Sequence, residues 1–321
     1  MDYFTNIVGQ EKVVDYLKRV IDTKEFNHAY LFWGGAGIGK MQTALAFAYT
    51  AIAAADDEAH IYLNQMIHPD LKIVQILEGK TRISREQIIK DIEPWLSVRP
   101  YRAGHRIVIV RDAHLMTPEA ANALLKTLEE PPACTIIILV ADNNNILETI
   151  VSRCSLISFS SVTTGHVKQF LLERGYDEYQ ASSIALLAQG SVANALKLAE
   201  GEAFKELWSK AVNILQEIYK GEVDKVIETA QNLDDDSELL ITTVETILRD
   251  LLVYAETKQE SQLYFPDSLV LIRMVKNINY NKLKQAIKEI GAMKKYYNSN
   301  LNSLVLNINL CYKIRDAIKT S

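Results

Sequence analysis

A short apolar run, Ala29-Tyr30-Leu31-Phe32-Trp33, leads straight into Gly34-Gly35-Ala36-Gly37-Ile38-Gly39-Lys40-Met41, and an alanine-rich segment follows to residue 55. Strand, glycine loop and helix in that order restrict the fold more than any other feature of the chain. The loop fits the phosphate-loop template G-x-x-x-x-G-K-[S/T] at every position but the last. In that template the glycines, here Gly34, Gly37 and Gly39, let backbone N–H groups curl around an anion, and Lys40 reaches the outer phosphates. The closing hydroxyl that should hold Mg²⁺ is replaced by the thioether of Met41. A thioether is a soft, weak ligand for a hard cation that wants oxygen. The loop is therefore expected to remain able to cradle phosphate, ADP or ATP while being badly equipped to hydrolyse ATP. A plain tight turn would explain the glycines, but neither Lys40 nor the strand–helix setting.

The surrounding pattern extends this unit into a sheet. Residues 1–27 read as helical, with Val13, Leu17, Val20 and Ile21 at helical spacing. Leu71–Ile76 alternates like a strand. Residues 84–97 read as a helix with Ser84 as N-cap and Gln87 at the capping-box position. Arg106–Val110 and Thr135–Val140 are the near-continuous apolar runs expected of central parallel strands, and Leu156–Phe159 is the last strand signal. Between them, Thr117-Pro118-Glu119 supplies an N-cap, a proline at the first helical position and an acid in the first turn. The helix it opens carries Ala121, Leu124, Leu125 and Leu128 and stops at Pro131-Pro132.

Strands alternating with helices predict a doubly wound parallel sheet over 1–160. Beyond it, 164–200 reads as short helices around the turn Gly190-Ser191. From 203 onward the pattern is amphipathic helix, with one face made of Leu240, Val244, Ile247, Leu248, Leu251 and Leu252 and another of Leu301, Leu304, Ile308 and Cys311. Asp234-Asp235-Asp236 reads as a solvated loop. At 321 residues the chain is too long for one ordinary core. The expected organisation is α/β plus all-α: an α/β domain over 1–160, a small helical domain over 161–202 and a helical domain over 203–321.

Composition removes several function classes. No apolar run approaches the roughly 20 residues that span a bilayer, and Met1-Asp2-Tyr3-Phe4 lacks the basic and apolar regions of a secretion signal. Cys134, Cys154 and Cys311 are few, scattered and odd in number, as expected of thiols in a reducing compartment. A cytoplasmic location without a membrane partner follows as the expectation. With 40 acidic and 35 basic residues the formal charge is −5. A chain that held DNA tightly by itself would show a basic excess or stripe, so DNA is expected only inside a larger assembly.

Several blocks together resemble the AAA+ clamp-loader family of bacterial DNA polymerase III. Ile7-Val8-Gly9-Gln10-Glu11 precedes the first helix, His28-Ala29-Tyr30-Leu31-Phe32 leads into the loop, and His68-Pro69-Asp70 stands before the next strand. Asn122-Ala123-Leu124-Leu125-Lys126-Thr127-Leu128-Glu129-Glu130-Pro131-Pro132 and Ile150-Val151-Ser152-Arg153-Cys154 complete the likeness, the latter holding the Ser-Arg-Cys signature. The resemblance implies an AAA+ domain, a helical lid over 161–202 and an oligomerising collar over 203–321. One family feature is missing. Many members carry a four-cysteine zinc module after the first helix, whereas 51–67 holds Asp56, Asp57, Glu58 and His60 but no cysteine, so no zinc is expected.

The resemblance also places catalytic positions. The Mg²⁺-holding aspartate would be Arg111, which puts a fixed cation where a metal should sit. Asp112 stands at the water-activating glutamate, the first sensor at Ala141 and the second sensor's arginine at Ala193. With Met41, these losses imply a chain that does not turn over ATP; no cofactor is required and no metal site is expected. Arg153 survives. In the family that arginine projects into a neighbour's ATP site, where a planar, permanently charged guanidinium stabilises the transferring phosphoryl group. The resemblance thus implies a non-hydrolysing subunit of a sliding-clamp loader that donates Arg153 as a finger in trans. Its implied partners are gamma/tau and delta subunits, the sliding clamp and primer-template DNA. The alternative is an active ATPase of motor or branch-migration type, which would call for Ser or Thr at 41, acids at 111 and 112 and arginine at 193. Asp112 is read otherwise as a local hydrogen-bonding or capping residue, and His28 and His114 as packing or surface histidines.

Overall fold

The computed structural model describes residues 2–63, 65–143, 145–221, 223–231, 237–275, 278–297 and 302–319. The chain divides into two compact units, one of residues 1–170 with 189–193 and one of 171–188 with 194–321.

The first unit alternates as α1 (Glu11–Thr23), β1 (Ala29–Trp33), α2 (Lys40–Ala53), α3 (Ala59–Leu63), β2 (Leu71–Val74), α4 (Arg85–Gln87), α5 (Glu93–Leu96), β3 (Arg106–Val110), α6 (Pro118–Glu129), β4 (Thr135–Ala141), α7 (Glu148–Val151), β5 (Ser155–Ser158) and α8 (Thr164–Leu172). The strands form one parallel sheet in the order β2-β3-β4-β1-β5. Strand side chains alternate with period two, so each strand feeds two cores. Ile136, Ile138 and Val140 of β4 join Tyr30, Phe32 and Phe47 on the face of α1 and α2. Ile137, Leu139 and Ala141 join Leu31, Val108 and Leu124 on the face of α6. A sheet covered on both faces needs continuous apolar strands, which is why β3 and β4 read as unbroken runs.

Sequence expectation and structure part in a few places. Only Glu11–Thr23 of 1–27 is helical, ended by Lys24 in the left-handed conformation. The capping box at Ser84 forms, with Ser84 and Gln87 exchanging both bonds, but the helix behind it is not continuous α. A π turn, Ile88–Ile92, separates α4 from α5. Pro94 explains the break: it has no N–H to donate and its ring crowds the preceding carbonyls, so the chain widens one turn to pass it. The helix over 118–129 starts on the Thr117 cap and Pro118 as read. The last strand, β5, is Ser155–Ser158, one residue earlier than expected, although Phe159 N still donates to Trp33 O at 2.7 Å.

The second unit is helical: α9 (Glu178–Leu187), most of α10 (Val192–Ala199), α11 (Ala203–Lys220), α12 (Val223–Gln231), α13 (Ser237–Thr257), α14 (Leu269–Met274), α15 (Tyr280–Tyr297) and α16 (Ser303–Ile318). Leu240, Val244, Ile247, Leu248 and Leu251 of α13 are buried as the amphipathic pattern requires, and Leu252 is half-buried. The face of α16 is a correction. Leu304 is 37% exposed and Ile308 half-buried, while Asn307, Leu310, Cys311, Ile314, Ala317 and Ile318 form the buried stripe. Hydropathy hides Asn307, whose buried amide donates to Ala230 O at 3.3 Å. Leu301 and the run 234–236 lie outside the described residues. Among the described residues no helix is long and apolar enough to cross a membrane.

Candidate functional site

Trp33 of β1 pairs with Ala141 of β4, so Gly34 and Asp142 leave the carboxyl edge of the sheet side by side. Here the chain's connections diverge: β1 is followed by β2 at one side of the sheet, and β4 by β5 at the other. Open α/β sheets hold ligands in the crevice at such a switch point.

The loop is held from behind. A Cβ on Gly34 would lie 2.5 Å from Phe159 O, and one on Gly37 would strike Ser191 Oγ and come within 2.9 Å of Ala193 Cβ. The Gly37 carbonyl accepts from Ala193 N at 3.1 Å. Gln10, buried at the start of α1, donates from Nε2 to Ile38 O at 3.2 Å and Ser160 O at 2.7 Å. Gly39 in the left-handed region then turns the chain into α2.

Lys40 opens α2 and is only 3% exposed. Its Nζ donates to Gly34 O at 2.8 Å and to Gly35 O, and stands 2.7 Å from Asp142 Oδ1. Two carbonyls and a carboxylate therefore surround a group with three protons to give. Asp142 is itself positioned, its backbone N donating to Nδ1 of buried His114 at 3.3 Å, while Asn145 Nδ2 donates to His114 O at 3.2 Å. Met41, partly buried, packs against the core on the α2 face.

Beyond β3, Arg111 Nε lies 3.6 Å from Asp112 Oδ2, with the arginine side chain 54% exposed. Asp112 sits in the left-handed region at φ 54° and caps nothing with its side chain; its partner is Arg111 instead. Ala141 is buried at the end of β4, and Ala193 lies against the glycine loop. The loop glycines, Lys40 and the position of the second sensor are thus brought together. Arg153 stands on another network. It follows α7, its Nη2 is 2.7 Å from Glu129 Oε1 at the end of α6, and its Nη1 donates to Thr149 O at 2.8 Å and Ser152 Oγ at 3.3 Å. About a third of its side chain is exposed.

The segment after α2 is clasped by ions. Arg102 Nε and Nη2 bind Asp56 at 2.6 and 3.0 Å, Nη2 also reaches Glu58 at 2.7 Å, and His68 Nε2 lies 3.2 Å from Asp56. Buried Asp70 accepts backbone N–H bonds from Tyr101, Arg102 and Ala103 at 2.7–2.8 Å. Bonding from Arg102 holds the Asp56 carboxyl far below the usual carboxylate range. Among the described residues no three His, Cys, Asp or Glu side chains are placed to hold a metal ion. Burial pushes the Cys154 thiol up to about 12, as befits an inert packing residue.

Sequence reasoning missed Asp142, Gln10 and Glu129 as working residues. Asp142 could have been found by noting that the strand before it pairs with the strand before the loop, but strand order is not written in periodicity. Glu129 and Gln10 stood inside recognised blocks without a partner to give them a role.

Comparisons with known proteins find likeness over the segment that carries the glycine loop. The family model described as DNA polymerase III, delta subunit matches residues 9–163, from the end of the N-terminal turn to just past the sheet. DNA polymerase III subunit delta' of Bacillus subtilis (strain 168) is 28% identical over 66% of this chain and 65% of its own length. DNA polymerase III subunit tau of the same organism is 29% identical over 61% of this chain and 37% of its own length. DNA polymerase III subunit delta' of Pseudomonas aeruginosa is 33% identical over 40% of this chain and 41% of its own. The chain therefore spans less than two thirds of the length of each of these relatives. A solved gamma subunit-related protein of Thermotoga maritima aligns at TM-score 0.44 and 17% identity over 94% of this chain and 99% of that one, too loosely to bear on function. The matched segment, residues 9–163, carries the sheet, the glycine loop and the Ser-Arg-Cys block, and through it the chain is similar to the clamp-loader subunits of DNA polymerase III.

Proposed function

We propose that this chain is a non-hydrolysing subunit of a bacterial sliding-clamp loader, acting in the cytoplasm in DNA replication and lending Arg153 to the ATP site of an adjacent motor subunit. One observation carries the reading. At the two positions where a nucleotide–metal complex needs oxygen ligands, partly buried Met41 packs against the core and Arg111 forms an ion pair with Asp112. A thioether and a fixed cation do not fit Mg²⁺, so this chain's own loop carries no hydrolytic step. Arg153, by contrast, keeps a guanidinium about a third exposed on one carboxylate, a carbonyl and the Ser152 hydroxyl. A group so held can exchange Glu129 for a phosphoryl oxygen of a neighbour, since an exposed ion pair contributes little.

In this reading the partners are gamma/tau and delta subunits, the sliding clamp and primer-template DNA within the assembly, with 161–202 as lid and 203–321 as collar. The test is clamp- and DNA-stimulated ATPase of a loader rebuilt with this chain or with Arg153→Ala. The chain alone should be silent, and the rebuilt loader should lose on the order of 10³-fold at the affected site with the variant. Full activity of a correctly assembled Arg153→Ala loader overturns the finger. Turnover by the isolated chain, abolished by Lys40→Ala, overturns the non-hydrolysing role.

A further inference from the structure

We infer that Asp142 is the resident ligand of the glycine loop: its carboxylate takes the place on Lys40 that an outer phosphate would fill, and so excludes nucleotide from the pocket. The inference deepens the proposed non-hydrolysing role and rests on it. It is carried by the position of one ammonium group. Lys40 is buried, and a buried cation without a counter-ion is strongly unfavourable. Nζ meets Gly34 O, Gly35 O and Asp142 Oδ1, so its three protons face three oxygens that belong to the chain.

A phosphate arriving at Lys40 would have to displace Asp142 or share the cation with it. Sharing sets two anions within a few ångströms of one another in a half-sheltered crevice, where their repulsion exceeds its value in water severalfold. Displacement is resisted by the way Asp142 is mounted. It follows the last residue of β4, whose partner Trp33 precedes the loop, and its backbone N donates to buried His114. The carboxylate is therefore delivered to Lys40 by the register of the sheet. The loop itself cannot open away from it, because Gly37 is backed by Ser191 and Ala193 and bonded to Ala193 N.

Everything else an anion needs is still present. The glycine loop runs into the N-terminus of the 14-residue α2, whose first N–H groups and dipole favour negative charge. Taking away the Asp142 charge should expose a latent phosphate site with Lys40, held only by Gly34 O and Gly35 O, lacking a counter-ion at its centre. Because the metal ligands do not fit, the ligand would be a metal-free polyphosphate.

The experiment measures binding of inorganic pyrophosphate and of Mg²⁺-free ADP to the full chain, as wild type, Asp142→Asn, Asp142→Ala and Asp142→Ala with Lys40→Met. Wild type should bind neither at millimolar concentration. The single variants should bind at least tenfold more tightly than wild type, and millimolar pyrophosphate should raise the melting temperature of Asp142→Ala but not of wild type. The double variant should lose the gain. Equal binding by wild type and folded variants, or no gain in either variant, overturns the inference. If neither variant folds, lysine acylation of wild type decides: Lys40 protection that pyrophosphate does not change supports it, and protection that appears only with pyrophosphate overturns it. Failure of the proposed function shows instead as ATP turnover with Mg²⁺, which these metal-free measurements do not read.

Discussion

The brace behind the glycine loop can be measured with three alanine substitutions. Gly37 has φ +71°, and its missing Cβ would strike Ser191 Oγ and approach Ala193 Cβ to 2.9 Å. Gly39 has φ +97° but open space, and Gly35 has neither a left-handed φ nor a neighbour within 4 Å. Left-handed backbone costs a residue with a Cβ roughly 1–2 kcal/mol, and forcing a methyl into packed atoms adds about 1–3 kcal/mol. Against both stands a gain of about 0.4–1 kcal/mol from stiffening the unfolded chain. The balance predicts a loss of about 2–4 kcal/mol for Gly37→Ala, under about 1.5 kcal/mol for Gly39→Ala, and no loss for Gly35→Ala. For a unit of this size 1 kcal/mol moves the melting temperature by about 2–4 °C, so Gly37→Ala should melt on the order of 10 °C lower. Urea titration followed through unit-specific tryptophans, Trp33 and Trp95 in the first unit and Trp208 in the second, separates the two transitions. Adding Ser191→Ala removes the nearest atom and should return part of the loss in a double-mutant cycle. Equal losses for Gly37→Ala and Gly39→Ala would refute the brace, because strain without contact would then account for both.

Three further outcomes follow from other contacts. Asp56 has its folded carboxyl depressed chiefly by Arg102, so its contribution is present above the unfolded value near about 4 and is lost as pH falls towards the folded value. Wild type should therefore exceed Asp56→Asn in urea midpoint at pH 7, with the gap narrowing below pH 4; a gap constant from pH 7 to 3 would contradict the clasp. On α16, Leu310→Ala should cost about 2–5 kcal/mol and Leu304→Ala within about 0.5 kcal/mol, since Leu310 is 2% exposed and Leu304 37%. Arg153→Ala should destabilise the isolated chain by less than about 1 kcal/mol, as an arginine a third exposed beside a half-exposed Glu129 contributes little. A larger drop would mean that lost ATPase in a rebuilt loader reports unfolding.

What could be read from the sequence was whatever is local. β1, the glycine loop, β3, β4 and the Thr117 cap are each fixed by residues within a few positions of one another, and all lie where periodicity and cap chemistry put them. The α/β character of the first unit followed, because buried parallel strands cannot be written without continuous apolar runs. The misreadings share a different cause. Pro94 breaks the helix after Ser84 while the apolar spacing continues, and Asn307 sits in a buried stripe because Ala230 O is there to receive it. In both, a polar or backbone requirement set elsewhere overrode the local pattern.

Lys40 is the sharpest example. The motif gave its place and its charge, and these alone favoured an open anion site. Its partner lies 102 positions away and becomes its neighbour only because β4 inserts between β3 and β1. A lysine in a glycine loop is thus insufficient to infer a nucleotide, since the same ammonium is satisfied equally by a phosphate or by a carboxylate delivered from the next strand. The residue after the strand paired with β1 is the one to inspect. An acid there, mounted rigidly and within reach of the lysine, converts a phosphate cradle into a closed ion pair. A chain built this way can keep the architecture of an ATP site, and with it the surface that carries Arg153, without carrying the nucleotide.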